Sequence, residues 1–97
     1  MINNLSQEFF MEIKQAIRQF ITENFLFSTD EFPFDDDASF LEEGVIDSTG
    51  TLELVIFLEE TFGFEVEDHE IEPDNFDSIN KLAAYIARKG VGDAARP

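Results

Sequence analysis

The spacing of apolar residues is the feature that most restricts the fold of this 97-residue chain. From about residue 5 to residue 27, apolar side chains recur at steps of three and four positions, which is the period of an amphipathic helix. The set is Leu5, Phe9, Ile13, Ile17, Phe20, Ile21 and Phe25. The sequence therefore predicts a long first helix with one face turned towards a core.

The same period returns in the second half of the chain. It predicts a second helix over residues 48–62, ended by Gly63, and a last helix over residues 78–89. A short helix is expected over residues 68–75. Residues 28–47 lack the period and predict a long loop, whose aromatic side chains must pack on the helices for the loop to be ordered.

These elements predict an all-α fold. We expect a small four-helix bundle of three main helices and one short helix, with the long loop between the first two helices. A chain of this length buries enough surface for one core. The expected organisation is a single domain over residues 1–90, followed by a flexible tail over residues 91–97.

Composition separates this chain from several other classes of protein. Hydrophobic residues make up 43% of the chain, which is too apolar for a disordered protein. The chain has no cysteine, so a disulfide framework, an iron–sulfur cluster and a thiolate zinc site are excluded. The N-terminal residues lack the pattern of a secretory signal, and no apolar run is long enough to span a membrane. We expect a soluble cytoplasmic monomer.

The strong acidity of the chain restricts its partners. Twenty-two Asp and Glu against six Lys and Arg give a formal net charge of −16. Nucleic acids and anionic membranes are bound through Lys and Arg, so neither is expected as a partner. Basic protein surfaces are the natural complement. The acids also have a simpler interpretation, as solvated helix faces that keep the protein in solution.

A single hydroxyl, that of Ser48, is the strongest candidate for chemistry. Residues 44–49 read Gly-Val-Ile-Asp-Ser-Thr and lead directly into the second predicted helix. A helix start offers unpaired N–H groups and the positive end of the helix dipole, which favour a phosphate ester attached there. The alternative interpretation of Ser48 is an ordinary serine at a helix start, where serine is common.

The residues around Ser48 resemble the attachment segment of acyl and peptidyl carrier proteins. The similarity runs from Phe40 to Ile86 and rests on three segments. They are residues 40–48 (FLEEGVIDS), residues 52–63 (LELVIFLEETFG) and residues 73–79 (PDNFDSI). The last segment is similar to stand-alone carriers of aminoacyl or acyl units.

The resemblance implies a function and a set of partners. A phosphopantetheinyl transferase would attach 4'-phosphopantetheine from coenzyme A to Ser48, with Asp47 and Thr49 beside the attached group. The arm's thiol would hold an acyl or aminoacyl thioester, loaded by a ligase or adenylation enzyme. Downstream enzymes of fatty-acid, polyketide or nonribosomal-peptide-type biosynthesis would then receive it. The carrier itself would catalyse nothing and bind no metal.

Two residues after Ser48 depart from the pattern of that family. The position that is usually Leu is Thr49, and the next position, often acidic, is Gly50. Glycine costs an α-helix about 1 kcal/mol relative to alanine. These departures do not change the Ser48 hydroxyl, but they alter the surface that a transferase or another partner would recognise.

The sequence of the second predicted helix also indicates a docking face for partner enzymes. Leu52 and Ile56 follow Ser48 along one side of the helix at intervals of four residues. Glu53, Glu59 and Glu60 flank them. An apolar centre with an acidic rim is therefore expected to meet basic partner surfaces.

Three other functions are open to the sequence. Ser48 and His69 could belong to a hydrolase, but Ser48 lacks the flanking glycines of a nucleophile elbow. Asp35–Asp37 could bind calcium, yet the spacing of an EF-hand loop is missing. The chain could also be a cofactor-free acidic protein that binds or inhibits a basic partner, which would explain the charge and leave the Ser48 segment without a role.

Overall fold

The computed structural model describes residues 3–27 and 31–89, and within these ranges the fold is all-α, as predicted. The helices are α1 (Asn3–Asn24), α2 (Ser48–Phe62), α3 (Pro73–Phe76) and α4 (Ile79–Lys89), with a 3-10 helix at Asp68–Glu70. The predicted tail over residues 91–97 lies outside the described ranges. In the part of the chain that the structure covers, no helix is long and apolar enough to cross a membrane.

The core forms where the apolar faces of α1, α2 and α4 meet. These three helices contribute Ile13, Ile17, Ile21, Leu54, Leu58, Ile79, Leu82, Ala83, Tyr85 and Ile86, all of which are buried. The long loop adds Phe40, Val45 and Ile46 to the same cluster, and α3 adds Phe76. Burying one Ile or Leu side chain contributes about 1.5–3 kcal/mol, so these helices are held mainly by their shared apolar surface.

The first helix ends earlier than its apolar period predicts, at Asn24 and not near residue 27. The N–H groups of Phe25 and Leu26 both donate to the carbonyl of Ile21, at 2.9 and 3.2 Å, so the regular ladder stops there. Phe27 then adopts a left-handed backbone with φ of 53°. The apolar period of the sequence runs past the end of α1 because it includes Phe25. That side chain is apolar because it packs against Phe20 and the start of α2.

The predicted short helix over residues 68–75 is also corrected, because two separate turns take its place. The 3-10 helix ends at Glu70, and α3 begins at Pro73. Proline has no N–H for the helical ladder and disfavours a helical residue before it. Glu72 is accordingly extended, with φ of −145° and ψ of 159°.

The last helix begins at Ile79, one residue later than predicted, and Ser78 caps it. The Ser78 hydroxyl oxygen accepts the N–H of Lys81 at 3.0 Å, which satisfies one of the free donors at the helix start. Asp77, the residue before Ser78, accepts the N–H of Leu41 at 3.0 Å. It therefore ties the long loop to the segment before α4.

Asp36 clamps the long loop onto α1 and α4. Its carboxylate accepts hydrogen bonds from Arg18 at 2.6 and 3.0 Å and forms an ion pair with Lys14 at 2.9 Å. Its backbone carbonyl accepts the N–H of Asn80 at 3.0 Å, and Asp37 accepts the Asn80 side-chain amide. The acidic run considered for calcium therefore has a structural role, because its central carboxylate already faces two cations.

Arg18, and to a smaller extent Lys14, lower the pKa of Asp36 from its ordinary 3.8 to about 2. A carboxylate whose pKa is lower in the folded than in the unfolded protein stabilises the fold at a pH above its unfolded pKa. That stabilisation is lost as the pH falls towards the pKa of the folded protein. Asp36→Asn should lower the free energy of unfolding by about 1–2 kcal/mol at pH 7. The difference from wild type should shrink between about pH 4 and pH 2.

Urea unfolding of both proteins across that pH range checks this expectation. Asp35→Asn is the matched control, because the Asp35 side chain is exposed and makes no hydrogen bond within residues 3–27 and 31–89. A difference between wild type and Asp36→Asn that stays constant down to pH 2 would contradict the role assigned to the Asp36 charge.

A second polar cluster joins the 3-10 helix to α4. The Tyr85 hydroxyl donates to the Glu70 carboxylate at 2.9 Å, and Lys89 donates to the same carboxylate at 3.1 Å. The backbone N–H of Glu67, followed by Lys89 and Tyr85, lowers the pKa of Glu70 to about 2. Burial and the adjacent Glu70 charge raise the pKa of Tyr85 above its ordinary value. The connection between α2 and α3 is thereby held on the last helix.

Candidate functional site

The start of α2 is organised by Asp47, which caps the helix. Asp47 has an extended backbone, and its Oδ1 accepts the N–H of Gly50 at 2.8 Å. Its carbonyl accepts the N–H of Thr51 at 2.9 Å and the Thr51 hydroxyl at 3.0 Å. Ser48 is therefore the first residue of the helix and not its cap. The ordinary structural role for a serine at this position is taken by its neighbour.

The Ser48 side chain is exposed and has no hydrogen-bond partner among residues 3–27 and 31–89. Ser39 and Ser78 differ from Ser48 in this respect. Ser39 donates to the Asp77 carboxylate and accepts the N–H of Glu42, and Ser78 is buried and caps α4. Of the three, Ser48 is the one whose hydroxyl is available to an external enzyme.

The backbone around Ser48 fits a phosphodiester. Asp47 uses the N–H groups of Gly50 and Thr51, whereas those of Ser48 and Thr49 make no hydrogen bond in the described part of the chain. Both groups lie in the first turn of a 15-residue helix, where the dipole favours negative charge. A phosphate on the Ser48 oxygen would lie beside these donors. The Thr49 side chain is exposed, and its backbone N–H is one of these two donors.

Gly50, a departure from the pattern of the family, is explained by Phe25. A Cβ atom on Gly50 would lie 2.7 Å from Cε1 of Phe25 and 3.2 Å from Cγ2 of Ile46. Cβ atoms essentially never come as close as 2.7 Å to another heavy atom, so the helix has glycine where the Phe25 ring crosses its first turn. The ring is also held edge-on to Phe20, with their centroids 5.8 Å apart.

We expect Gly50→Ala to destabilise the protein despite the higher helix propensity of alanine. Propensity favours alanine by about 1 kcal/mol, whereas overpacking costs about 1–3 kcal/mol, so a net loss near 1 kcal/mol is expected. In a Phe25→Ala background the clash is absent, and Gly50→Ala should stabilise. Chemical denaturation of the four proteins measures both effects. Equal effects of Gly50→Ala in the two backgrounds would contradict the proposed contact.

A groove opens beside Ser48, between the end of α1 and the loop before α2. Its lining consists of Asn24, Phe25, Phe27, Leu41, Gly44, Val45, Ile46, Asp47 and Ser48. Sequence reasoning missed this groove, because Phe25 and Phe27 were assigned to the first helix. The available signal was Gly50, since a glycine in a first helical turn indicates the close approach of another group.

The residues of the docking face predicted on α2 are exposed in the structure, with the exception of Glu59. Leu52 and Ile56 are 60% and 53% exposed, and Glu53 and Glu60 are exposed beside them. Glu59 differs, because it is half-buried and its carboxylate accepts the N–H of Val66 at 2.9 Å. The Glu59 carboxylate therefore holds the segment that follows α2. The exposed acidic residues beside Leu52 and Ile56 are Glu53 and Glu60.

His69, the candidate base of the hydrolase hypothesis, lies exposed in the 3-10 helix. Within the residues that the structure describes, no hydrogen bond joins His69 to Ser48 or to a carboxylate that could orient it. A nucleophile and base that act together need such contacts. The structure therefore gives no support to a Ser48–His69 catalytic pair.

Comparison with known proteins agrees with the site geometry. The family model described as phosphopantetheine attachment site matches residues 12–86. A D-alanyl carrier protein of Streptococcus suis (strain 98HAH33) is 35% identical over 76 residues, which cover 78% of this chain and 92% of that protein. A D-alanyl carrier protein of Lactococcus lactis subsp. cremoris (strain MG1363) is 34% identical over 61 residues, covering 63% and 77% of the two chains. This chain belongs to the phosphopantetheine attachment site family, and it is a carrier protein that holds its intermediate as a thioester on covalently attached 4'-phosphopantetheine.

Proposed function

We propose that Ser48 is the residue that carries the phosphopantetheine arm. The observation that carries this proposal is the exposed hydroxyl of Ser48 at the first position of α2, which has no hydrogen-bond partner in the described part of the chain. The Ser48 oxygen forms a new bond to the phosphorus next to the pantetheine, and the P–O bond from that phosphorus to the nucleotide half of coenzyme A breaks. Adenosine 3',5'-bisphosphate leaves, and a base of the transferase takes the hydroxyl proton. A separate phosphopantetheinyl transferase catalyses this step. The free N–H groups of Ser48 and Thr49 then face the attached phosphate.

The cargo that we propose is a small aminoacyl unit, of which D-alanyl is the first candidate. The relatives with 34–35% identity are D-alanyl carrier proteins. A pocket lined by Phe40, Ile46, Leu54, Ile71 and Phe76 among others has a volume of only about 120 Å³. An engineered cavity of about 150 Å³ holds one benzene molecule, so a pocket of this volume suits a small cargo better than a long acyl chain.

The chain acts in this proposal as a tether and a docking surface, and it catalyses no step. Because the chain has no cysteine, the thiol that forms the thioester must come from the arm. The proposed partners are the transferase, a ligase that activates the amino acid, and a downstream enzyme with a basic docking surface. A monomer suffices for these encounters. A cofactor-free acidic binding protein would leave the exposed Ser48 and the family match without a role.

The proposal is tested by locating the arm in the protein. Incubation with coenzyme A, magnesium and a broad-specificity transferase should add one phosphopantetheinyl group, and peptide mapping by mass spectrometry should place it on Ser48. Offering the holo protein to a D-alanine-activating ligase and to a fatty-acyl ligase should load D-alanine alone. Attachment at Ser39 or Ser78 would overturn the assignment of Ser48, and preferential loading of a fatty acyl group would overturn the proposed cargo.

A further inference from the structure

We propose that the groove between the end of α1 and the loop before α2 holds the pantetheine part of the arm on the carrier's own surface. This inference rests on the proposed attachment to Ser48. It assigns a ligand-contacting role to Phe25, Phe27 and Leu41. The occupant is the prosthetic group itself, because Ser48 is one of the residues that line the groove.

Tethering at the edge of the groove favours occupancy by the arm over any free ligand. A group joined by a short flexible link has an effective concentration on the order of millimolar at a neighbouring site. Weak contacts are therefore enough to populate the bound arrangement. No other group attached to Ser48 is implied by the family of this chain.

The walls of the groove match the chemistry of pantetheine. Phe27 and Leu41 are large apolar side chains that are 85% and 61% exposed, so the fold leaves them without cover. Large exposed apolar surface indicates a binding site in a soluble protein. The pantoyl end of the arm carries two methyl groups on one carbon, which suits contact with an aromatic ring, while the arm's amides suit the exposed backbone at Gly44.

The groove is built by residues whose positions have specific causes. Gly50 leaves room for the Phe25 ring, whose Cε1 lies 2.7 Å from where a Cβ would be. The left-handed backbone of Phe27, with φ of 53°, turns the chain out of the helical path and places its side chain on the groove. These two phenylalanines thus form a wall beside Ser48 although α1 has already ended.

The test uses isotope-labelled apo and holo protein in solution. In the holo protein, nuclear Overhauser effects should link the methyl protons of the arm to the rings of Phe25 and Phe27. Amide shifts of Phe27 and Leu41 should change more between apo and holo protein than those of Met11. Phe27→Ser should reduce these Overhauser effects several-fold. Met11→Ser, which alters a residue on α1 that is 64% exposed, should leave them unchanged.

Each other outcome overturns the inference in a recognisable way. If mass spectrometry places the arm on Ser48 but no Overhauser effect reaches the groove, this inference fails and the proposed function stands. If no arm is found on Ser48, both fail. If Phe27→Ser slows attachment while the holo protein shows no arm contacts, the groove is a contact for the transferase, which also overturns the proposal.

Discussion

We expect Ser48→Ala to abolish attachment of the phosphopantetheine arm and to leave the helical fold intact. The substitution removes the oxygen that we propose forms the bond to phosphorus, so the expected loss is complete. Folding should be little affected, because the Ser48 side chain is exposed and the start of α2 is held by Asp47 through Gly50 and Thr51. Intact mass after incubation with coenzyme A and a transferase measures the loss, and circular dichroism verifies the fold.

Ser39→Ala is the matched control for this prediction. Ser39 lies in the loop before α2, and its hydroxyl donates to the Asp77 carboxylate and accepts the N–H of Glu42. Removing this hydroxyl should lower the free energy of unfolding by about 1 kcal/mol and leave attachment of the arm unchanged. Modification of a folded Ser48→Ala protein would show that another residue bears the arm. Loss of modification in both variants would indicate an effect of the loop structure and would remove the special role of Ser48.

Reversing Glu53 and Glu60 to Lys should slow attachment of the arm about tenfold at low salt. Both carboxylates are exposed beside the apolar pair Leu52 and Ile56, and charges at the edge of an interface mainly steer association. The defect should shrink as salt is added, because ions screen exposed charges. Stopped-flow or quenched-flow measurement of the association rate at several salt concentrations provides the test.

Ile56→Ala separates apolar contact from steering. Its side chain is 53% exposed, so truncation removes apolar surface that a partner would bury, weakening the complex by about 1–2 kcal/mol with little dependence on salt. Circular dichroism must show that every variant is folded, because these residues belong to α2. A charge-reversed protein that is modified at the wild-type rate in low salt would place the docking face elsewhere and leave the acids a role in solubility.

The sequence by itself determined the helical class of this protein and the candidate residue for its chemistry. Apolar residues at helical spacing recur over each main helix, and that spacing is a local property that does not depend on the rest of the chain. The Asp47–Ser48 pair directly precedes the apolar pattern of the second helix, so the sequence also predicted that the Ser48 hydroxyl lies at a helix start. The period did not predict where α1 ends, because Phe25 continues the apolar spacing although it lies beyond the helix and contacts the start of α2.

Only the tertiary structure decided what surrounds Ser48 and which acids are free. Phe25 reaches Gly50, Asp36 reaches Arg18 and Glu59 reaches the backbone of Val66, and each contact joins parts of the chain that lie outside a single helical turn. Such contacts depend on how the helices pack, and the local pattern of one segment does not contain that information. For this reason the groove beside Ser48 and the clamp on the long loop became visible only in the folded protein.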